Sequence, residues 1–343
     1  MDIKKQLKTI IKSNIQILAS YFGRHKQCSK SPQLLILMYH RILPLDDIRN
    51  FSEEPGMIVT PKTFENHINI LSNYFEFITL SDWLERKSKN LPLPNKACAI
   101  TFDDGWVDNY EFAFPILEQT KTPATIFLVS KIINTTKVLW PERLARLINY
   151  LAKEKPMAWE NNDLKWLQNI KTSYNFSTDA PSREQLTEII AGTKKYTEDD
   201  INNKLNIIEN NIQLSGITKP SFLNWQQVNE MIDSGFVDIG SHTCNHIRLN
   251  EKISSQTVSE EIINSKIDIE KNTNKLIKVF CYPNGDYSDK AIKIVKEHYI
   301  GAVTTDKGWN DESSDEHTLQ RVAVHEDISN TTNSFLSRIS GWT

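Results

Sequence analysis

Two stretches of the chain carry residues that could act on a substrate together. Asp103-Asp104-Gly105 closes the run Ala97-Cys98-Ala99-Ile100-Thr101-Phe102. A β-branched and aromatic run with small neighbours reads as a buried strand, and Asp-Asp-Gly stops it. Adjacent carboxylates at the end of a buried strand need a compensating charge, and a divalent cation supplies one. A solvated turn would leave the same trace. The second stretch, Ser241-His242-Thr243-Cys244-Asn245-His246, decides between them. Its imidazoles stand at i and i+4 and share one face if the segment makes a helical turn.

Alone, the two histidines are a weak signal. Joined to one carboxylate they form a facial set that leaves positions open for water and substrate. Zn²⁺ is the expected ion, with Co²⁺ and Ni²⁺ as its neighbours in ligand preference. The other aspartate is then free to take a proton from water attacking a carbonyl. Cys244 lies between the histidines and is expected to point away and pack. Near the C-terminus, Gln320-Arg321-Val322-Ala323-Val324-His325-Glu326-Asp327 offers a histidine that could protonate a leaving group. Glu326 or Asp327 could equally hold His325 as a structural strand-end residue. Strand alternation puts Arg321 on the same face as His325, beneath it and in need of a carboxylate partner.

These residues need a scaffold that brings strand ends together. The 343 residues can bury a full core, as one large domain or one domain with an insertion. The net charge of -3 and the lack of aromatic-basic interleaving argue against a nucleic-acid partner. The four cysteines form no CxxC pair, and Cys98, Cys244 and Cys281 sit in or beside expected strands, which suits reduced, buried thiols. Strands are expected at Leu34–Met38, Phe75–Thr79, Ala97–Phe102, Ala124–Val129, Phe236–Gly240, Ile277–Cys281, Ile300–Thr304 and Gln320–Val324, with amphipathic helices between them. Such alternation indicates an α/β fold with a parallel sheet or barrel. Reading each strand to its C-terminal end gives His40, Asp103-Asp104, His242, Tyr282, Asp306 and His325. In a parallel barrel those ends share the face on which active sites are built. Residues of about 131–220 are helical and polar, and read as an insertion over one rim.

The N-terminus differs. Ile3, Leu7, Ile10, Ile11, Ile15, Leu18 and Phe22 recur at helical spacing, opposite Lys4, Lys5, Lys8 and Lys12. Residues 1–33 are read as a basic amphipathic helix, suited either to an anionic membrane surface or to docking on its own domain. A signal peptide would need an uninterrupted apolar core, and no run reaches membrane-spanning length.

Taken together, the motifs resemble the polysaccharide deacetylases of the NodB-homology type, carbohydrate esterase family four. Thr101-Phe102-Asp103-Asp104-Gly105 matches the first motif and His242-Thr243-Cys244-Asn245-His246 the second. The resemblance covers roughly Leu34 to His325, within a deacetylase domain expected over 34–343. It implies a distorted (β/α) barrel of seven or eight strands and metal-dependent hydrolysis of an amino sugar's N-acetyl group. It further implies Asp103 as base, Asp104, His242 and His246 as metal ligands, and His325 as general acid. Two departures are visible. Cys281 stands where the family's base-orienting arginine is usual, which makes Arg321 the candidate substitute. Asn284 replaces an aromatic residue in Tyr282-Pro283-Asn284-Gly285, yet can still offer a backbone N–H to an oxyanion. Trp309 of Asp306-Lys307-Gly308-Trp309 is expected to wall the pocket, and His40 and Tyr282 to face the substrate. Met38-Tyr39-His40-Arg41 looks like the branch tied to bacterial surface-polysaccharide assembly. Without a recognisable secretion signal, the expectation is a cytoplasmic enzyme acting on a lipid- or nucleotide-linked saccharide, peripheral at the inner membrane if its first helix binds lipid. A silent saccharide-binding module and an O-acetyl esterase are the competing readings.

Overall fold

The computed structural model describes residues 14–155, 159–176, 179–212 and 221–342. Residues 1–13, with the first half of the expected N-terminal helix, lie outside that set. Seven of the apolar runs form the strands β1 (Gln33–Tyr39), β2 (Lys96–Phe102), β3 (Ala124–Leu128), β4 (Val237–Ser241), β5 (Val279–Cys281), β6 (Gly301–Lys307) and β7 (Leu319–Ala323). Each pairs in parallel with the next, and β7 pairs back to β1, so the sheet closes into a seven-stranded parallel barrel. At the closure Leu37 lies between Ile100 of β2 and Val322 of β7. The run at 75–79 shortens to Glu76–Phe77, which pairs with β2 outside the ring.

Closure explains why the strands read as unbroken apolar runs, since both faces are covered. Leu35, Leu37 and Tyr39 pack outward among the surrounding helices. Leu34 and Ile36 join Ala97 and Ala99 in a second cluster that includes Leu80, Trp83 and Leu84 of the helix Leu80–Ser88. The helix starts follow ordinary capping chemistry. The Thr60 hydroxyl accepts the Thr63 N–H with Pro61 in the first turn. The Thr79 hydroxyl accepts the Asp82 N–H and caps Leu80–Ser88.

Between β3 and β4, ahead of the helix Trp225–Asp233, the described residues of the insertion include the helices α1 (Trp140–Glu154), α2 (Lys165–Gln168), α3 (Arg183–Thr193) and α4 (Glu198–Ile212). They bury a core of their own, in which Leu144, Leu147 and Ile148 of α1 meet Leu167, Ile190 and Leu205. Arg143 ties α1 to α4 through Glu209 (Nη2···Oε2 2.7 Å), Asn202 and Asn206. Across the gap to the barrel, Arg248 donates to the Lys194 and Tyr196 carbonyls that follow α3.

Candidate active site

Strand alternation decides where the first aspartate goes. Ala97, Ala99 and Thr101 share one face of β2, and Asp103 continues the series beyond the strand end. There it meets Arg321 of β7. Nη1 donates to Oδ1 and Nη2 to Oδ2, both at 2.7 Å. The other donors of the buried guanidinium go to the Thr304 carbonyl (2.8 Å), Thr101 Oγ1 (3.2 Å) and Cys281 Sγ (3.2 Å). All five N–H groups are thus satisfied from β2, β5 and β6. Burial alone would raise the Asp103 pKa; the arginine outweighs it and holds the carboxyl below the usual range.

Asp104 faces a different set of groups. Its backbone is left-handed (φ 74°), as is Gly105 (φ 81°). A non-glycine residue in that region stores strain, a common feature of functional sites. One oxygen, Oδ2, accepts the Trp106 indole N–H at 2.9 Å. The other, Oδ1, lies 3.4 Å from both His242 Nε2 and His246 Nε2, is buried, and has no hydrogen-bond partner. The tautomer of His242 follows from its second nitrogen. Nδ1 lies 2.8 Å from the Cys281 carbonyl, which can only accept, so Nδ1 carries a proton. Burial alone would lower the ring's pKa, but Cys281, Asp104 and Asp103 outweigh it and raise it well above the ordinary value, so a cation at Nε2 would take the place of the second proton. Burial pushes His246 down to about 4, so its ring is neutral at physiological pH. Three lone-pair donors thus converge on one point, the donor set of a divalent cation.

The two histidines are not carried by a helical turn. Residues 242–246 form a loop with positive φ at Thr243 (65°) and His246 (59°). Glu261, on the helix Ser255–Thr273, holds that loop by accepting the Cys244 and Asn245 N–H groups and the Asn245 amide. A lone acidic residue on the buried face of that helix was the available signal for this clamp. Cys244 is buried beside it and serves packing.

The remaining candidates divide. His40 lines the same cavity, with Nε2 3.9 Å from Asp103 Oδ2. Asn284 lines it too, in a left-handed conformation (φ 56°) over Gly285. A Cβ at Gly285 would lie 2.1 Å from Thr305 Oγ1, so only glycine fits there. His325 is not among the residues lining the cavity. Its Nδ1 lies 3.4 Å from Asp327, and burial lowers its pKa despite that carboxylate.

Tyr282 and Trp309 do not line the cavity. Tyr282 is fully buried against Phe280 and Tyr287, because alternation past the end of β5 turns it outward into the helix layer. The chain doubles back after β6 so that Asn310 pairs with Leu34 at the start of β1. That reversal carries Trp309 away from the catalytic end, to Phe75 and the Ile339 carbonyl.

The cavity has a volume of about 260 Å³. Asp103, Asp104, His242 and His246 line one side; Glu53, Glu54, Trp140, Glu142 and Lys194 line the other. Sequence reasoning missed this second side. Lys194 donates to Asn284 Oδ1 (2.9 Å), so the inserted helices touch the candidate oxyanion loop directly. Beneath Glu53 and Glu142, Arg41 pairs with Asp108 (2.8 Å) and Glu53 (3.2 Å). A second cavity of about 500 Å³ shares Leu139, Trp140 and His246 with the first and runs along Asn202 and Asn206 of α4.

A family model described as polysaccharide deacetylase matches residues 90–303. The chain belongs to the polysaccharide deacetylase family. As a member it is a hydrolase, built on the family's barrel. YxkH of Bacillus subtilis, named for the same family, is 23% identical over 302 residues, spanning 88% of this deacetylase and 74% of that protein. The poly-β-1,6-N-acetyl-D-glucosamine N-deacetylase of Staphylococcus aureus is 33% identical over 109 residues, 29% of this chain and 37% of that one. Among solved structures, the Streptococcus pyogenes deacetylase PplD in complex with acetate superposes with a TM-score of 0.58. It is 19% identical and covers 90% of this chain and 99% of that one, a likeness of fold.

Proposed function

We propose that this polysaccharide deacetylase hydrolyses N-acetyl groups on an amino-sugar polymer of a bacterial surface. The observation that carries the reading is the division of labour between neighbours. Asp103 is ionised and locked by Arg321, while Asp104 Oδ1 is left bare between two imidazole nitrogens. A binding module needs neither a positioned base nor a cation site.

In this reading Asp104, His242 and His246 hold one divalent ion, Zn²⁺ by the donor set. Such an ion supplies Lewis acidity, polarising the amide carbonyl and acidifying water. Asp103 accepts the proton of the attacking water, since Arg321 keeps its oxygens fixed and charged. The Asn284 backbone N–H is the candidate donor to the developing oxyanion. Protonation of the departing amine falls to His40, which lines the cavity beside Asp103, in place of His325. The cavity is small enough for one sugar ring, and the second cavity beyond His246 and Trp140 offers space for neighbouring rings. That continuity favours a polymer over a nucleotide-linked monosaccharide.

The test is acetate release by metal-loaded protein. Oligomers of β-1,6-linked N-acetylglucosamine are compared with free, nucleotide-linked and lipid-linked N-acetylhexosamine and with an O-acetylated glycan. The oligomers are expected to give the highest kcat/KM. Acetate from the O-acetylated glycan alone would make the protein an esterase, and acetate from none would refute the enzymatic reading.

A further inference from the structure

Residues 14–22 form a helix that packs on the barrel by its small side chains and leaves its large ones outside. Ala19 and Ser20 are buried, and Ser20 Oγ donates to Asn333 Oδ1 at 3.3 Å. Gly23 comes so close to the C-terminal segment that a Cβ there would lie 2.5 Å from the Ser340 Cβ. The Arg24 N–H donates to the Ser340 carbonyl at 2.8 Å, and the buried His25 ring packs edge-on against Tyr74. By contrast, Ile15, Leu18 and Phe22, three residues of one stripe, are 45%, 50% and 60% exposed. Tyr21 is 61% exposed, and Trp342 is 53% exposed just past Gly341, which lies beside Arg24. Docking on the protein's own domain therefore does not account for the stripe.

The charge of this segment of the sequence is one-sided. Residues 1–30 contain seven lysines and arginines and a single acid, Asp2. Lys26 sits over the Tyr21 ring at 5.0 Å. Exposed aliphatic and aromatic residues beside Lys26, in a segment of strongly basic sequence, match the interface of an anionic bilayer. We infer that this face docks the protein peripherally on an anionic lipid surface. No helix among the described residues is long and apolar enough to cross a membrane.

The anchor also sets an orientation. Lys96, the first residue of β2, donates to the His25 carbonyl, and Arg24 donates to Gln33, the first residue of β1. The helix is thus fixed where it meets the N-terminal ends of the strands, whereas the cavity opens at their C-terminal ends. Bound to lipid, the protein keeps its cavity accessible.

Full-length protein is sedimented with vesicles of phosphatidylcholine alone, and of phosphatidylcholine mixed with phosphatidylglycerol. Partition into the anionic vesicles is expected, weakening with salt. Leu18→Glu/Phe22→Glu should lose about tenfold or more of that partition. Because both side chains are exposed, acetate release from a soluble substrate should stay unchanged. Failure of the native protein to bind anionic vesicles would overturn the inference, as would undiminished binding by the variant. A dimer that the variant dissociates, without vesicle binding by either protein, would assign the face to a second copy of the chain instead.

Discussion

Arg321 and Asp103, 218 residues apart in the chain, meet in a two-pronged ion pair whose N···O distances are both 2.7 Å. Cys281 lies against the same guanidinium at 3.2 Å. Its small side chain leaves room inside the barrel for an arginine that enters from β7, and the pair is otherwise wrapped by Thr101 and Thr304.

That geometry predicts the consequence of losing it. Arg321→Met strands a buried carboxylate and should destabilise the fold by roughly 3–5 kcal/mol. Arg321→Lys keeps a charge but supplies one prong, so it should fold and lose the base's orientation. With less to offset burial, the Asp103 pKa rises, and the acid limb of the pH–kcat/KM profile should move to higher pH. An unmoved acid limb in Arg321→Lys would show that the arginine is structural only.

The two aspartates should separate cleanly. Asp103→Asn should keep its metal while losing about 10²–10⁴ in rate, the usual cost of a general base, and should melt lower because the buried Arg321 charge loses its partner. Asp104→Asn should lose metal first, with partial recovery of activity in excess metal. Metal content and acetate release, measured on both variants, make the comparison. Equal metal loss would mean that the carboxylates act jointly as ligands.

The histidines offer a second contrast. His40→Gln should lower kcat by about 10²–10⁴, whereas His325→Gln, outside the cavity, should cost far less. The reverse pattern would return the acid role to His325.

Glu53 makes stability depend on pH. Burial pushes its carboxyl up to about 8; Arg41 opposes that, and Glu142 and Asp108 add to it. Between about 4.5 and 8 the folded state therefore holds a proton that the unfolded chain releases, so stability falls as pH rises. The slope is up to about 1.4 kcal/mol per pH unit for this one group. Glu53→Gln, which mimics the protonated form, should match the native protein near pH 5 and exceed it at pH 8–9. Denaturant titrations across that range would show it, and parallel curves would contradict it.

Much of this molecule was legible along the chain because its chemistry is local or periodic. Strands covered on both faces become continuous apolar runs, and Asp103, Asp104, His242 and His246 sit at or just past the ends of two of them. Type and spacing were enough to propose the donor set. What the chain could not show were directions and partners between distant segments. Whether Tyr282 and Trp309 face substrate depends on which way the backbone turns after β5 and β6. Whether His40 or His325 reaches the cavity depends on how β1 and β7 meet at the barrel's closure. The HxxxH spacing suggested a helical turn, but the clamp by Glu261 and two left-handed residues make it a loop. The cavity's far side comes from Glu53, Trp140, Glu142 and Lys194, polar or ordinary residues with no periodic signature. Sequence by itself therefore determined which residues could do the chemistry. Only barrel closure and the packing of the inserted helices decided which of them face one another, because those contacts join segments the chain keeps far apart.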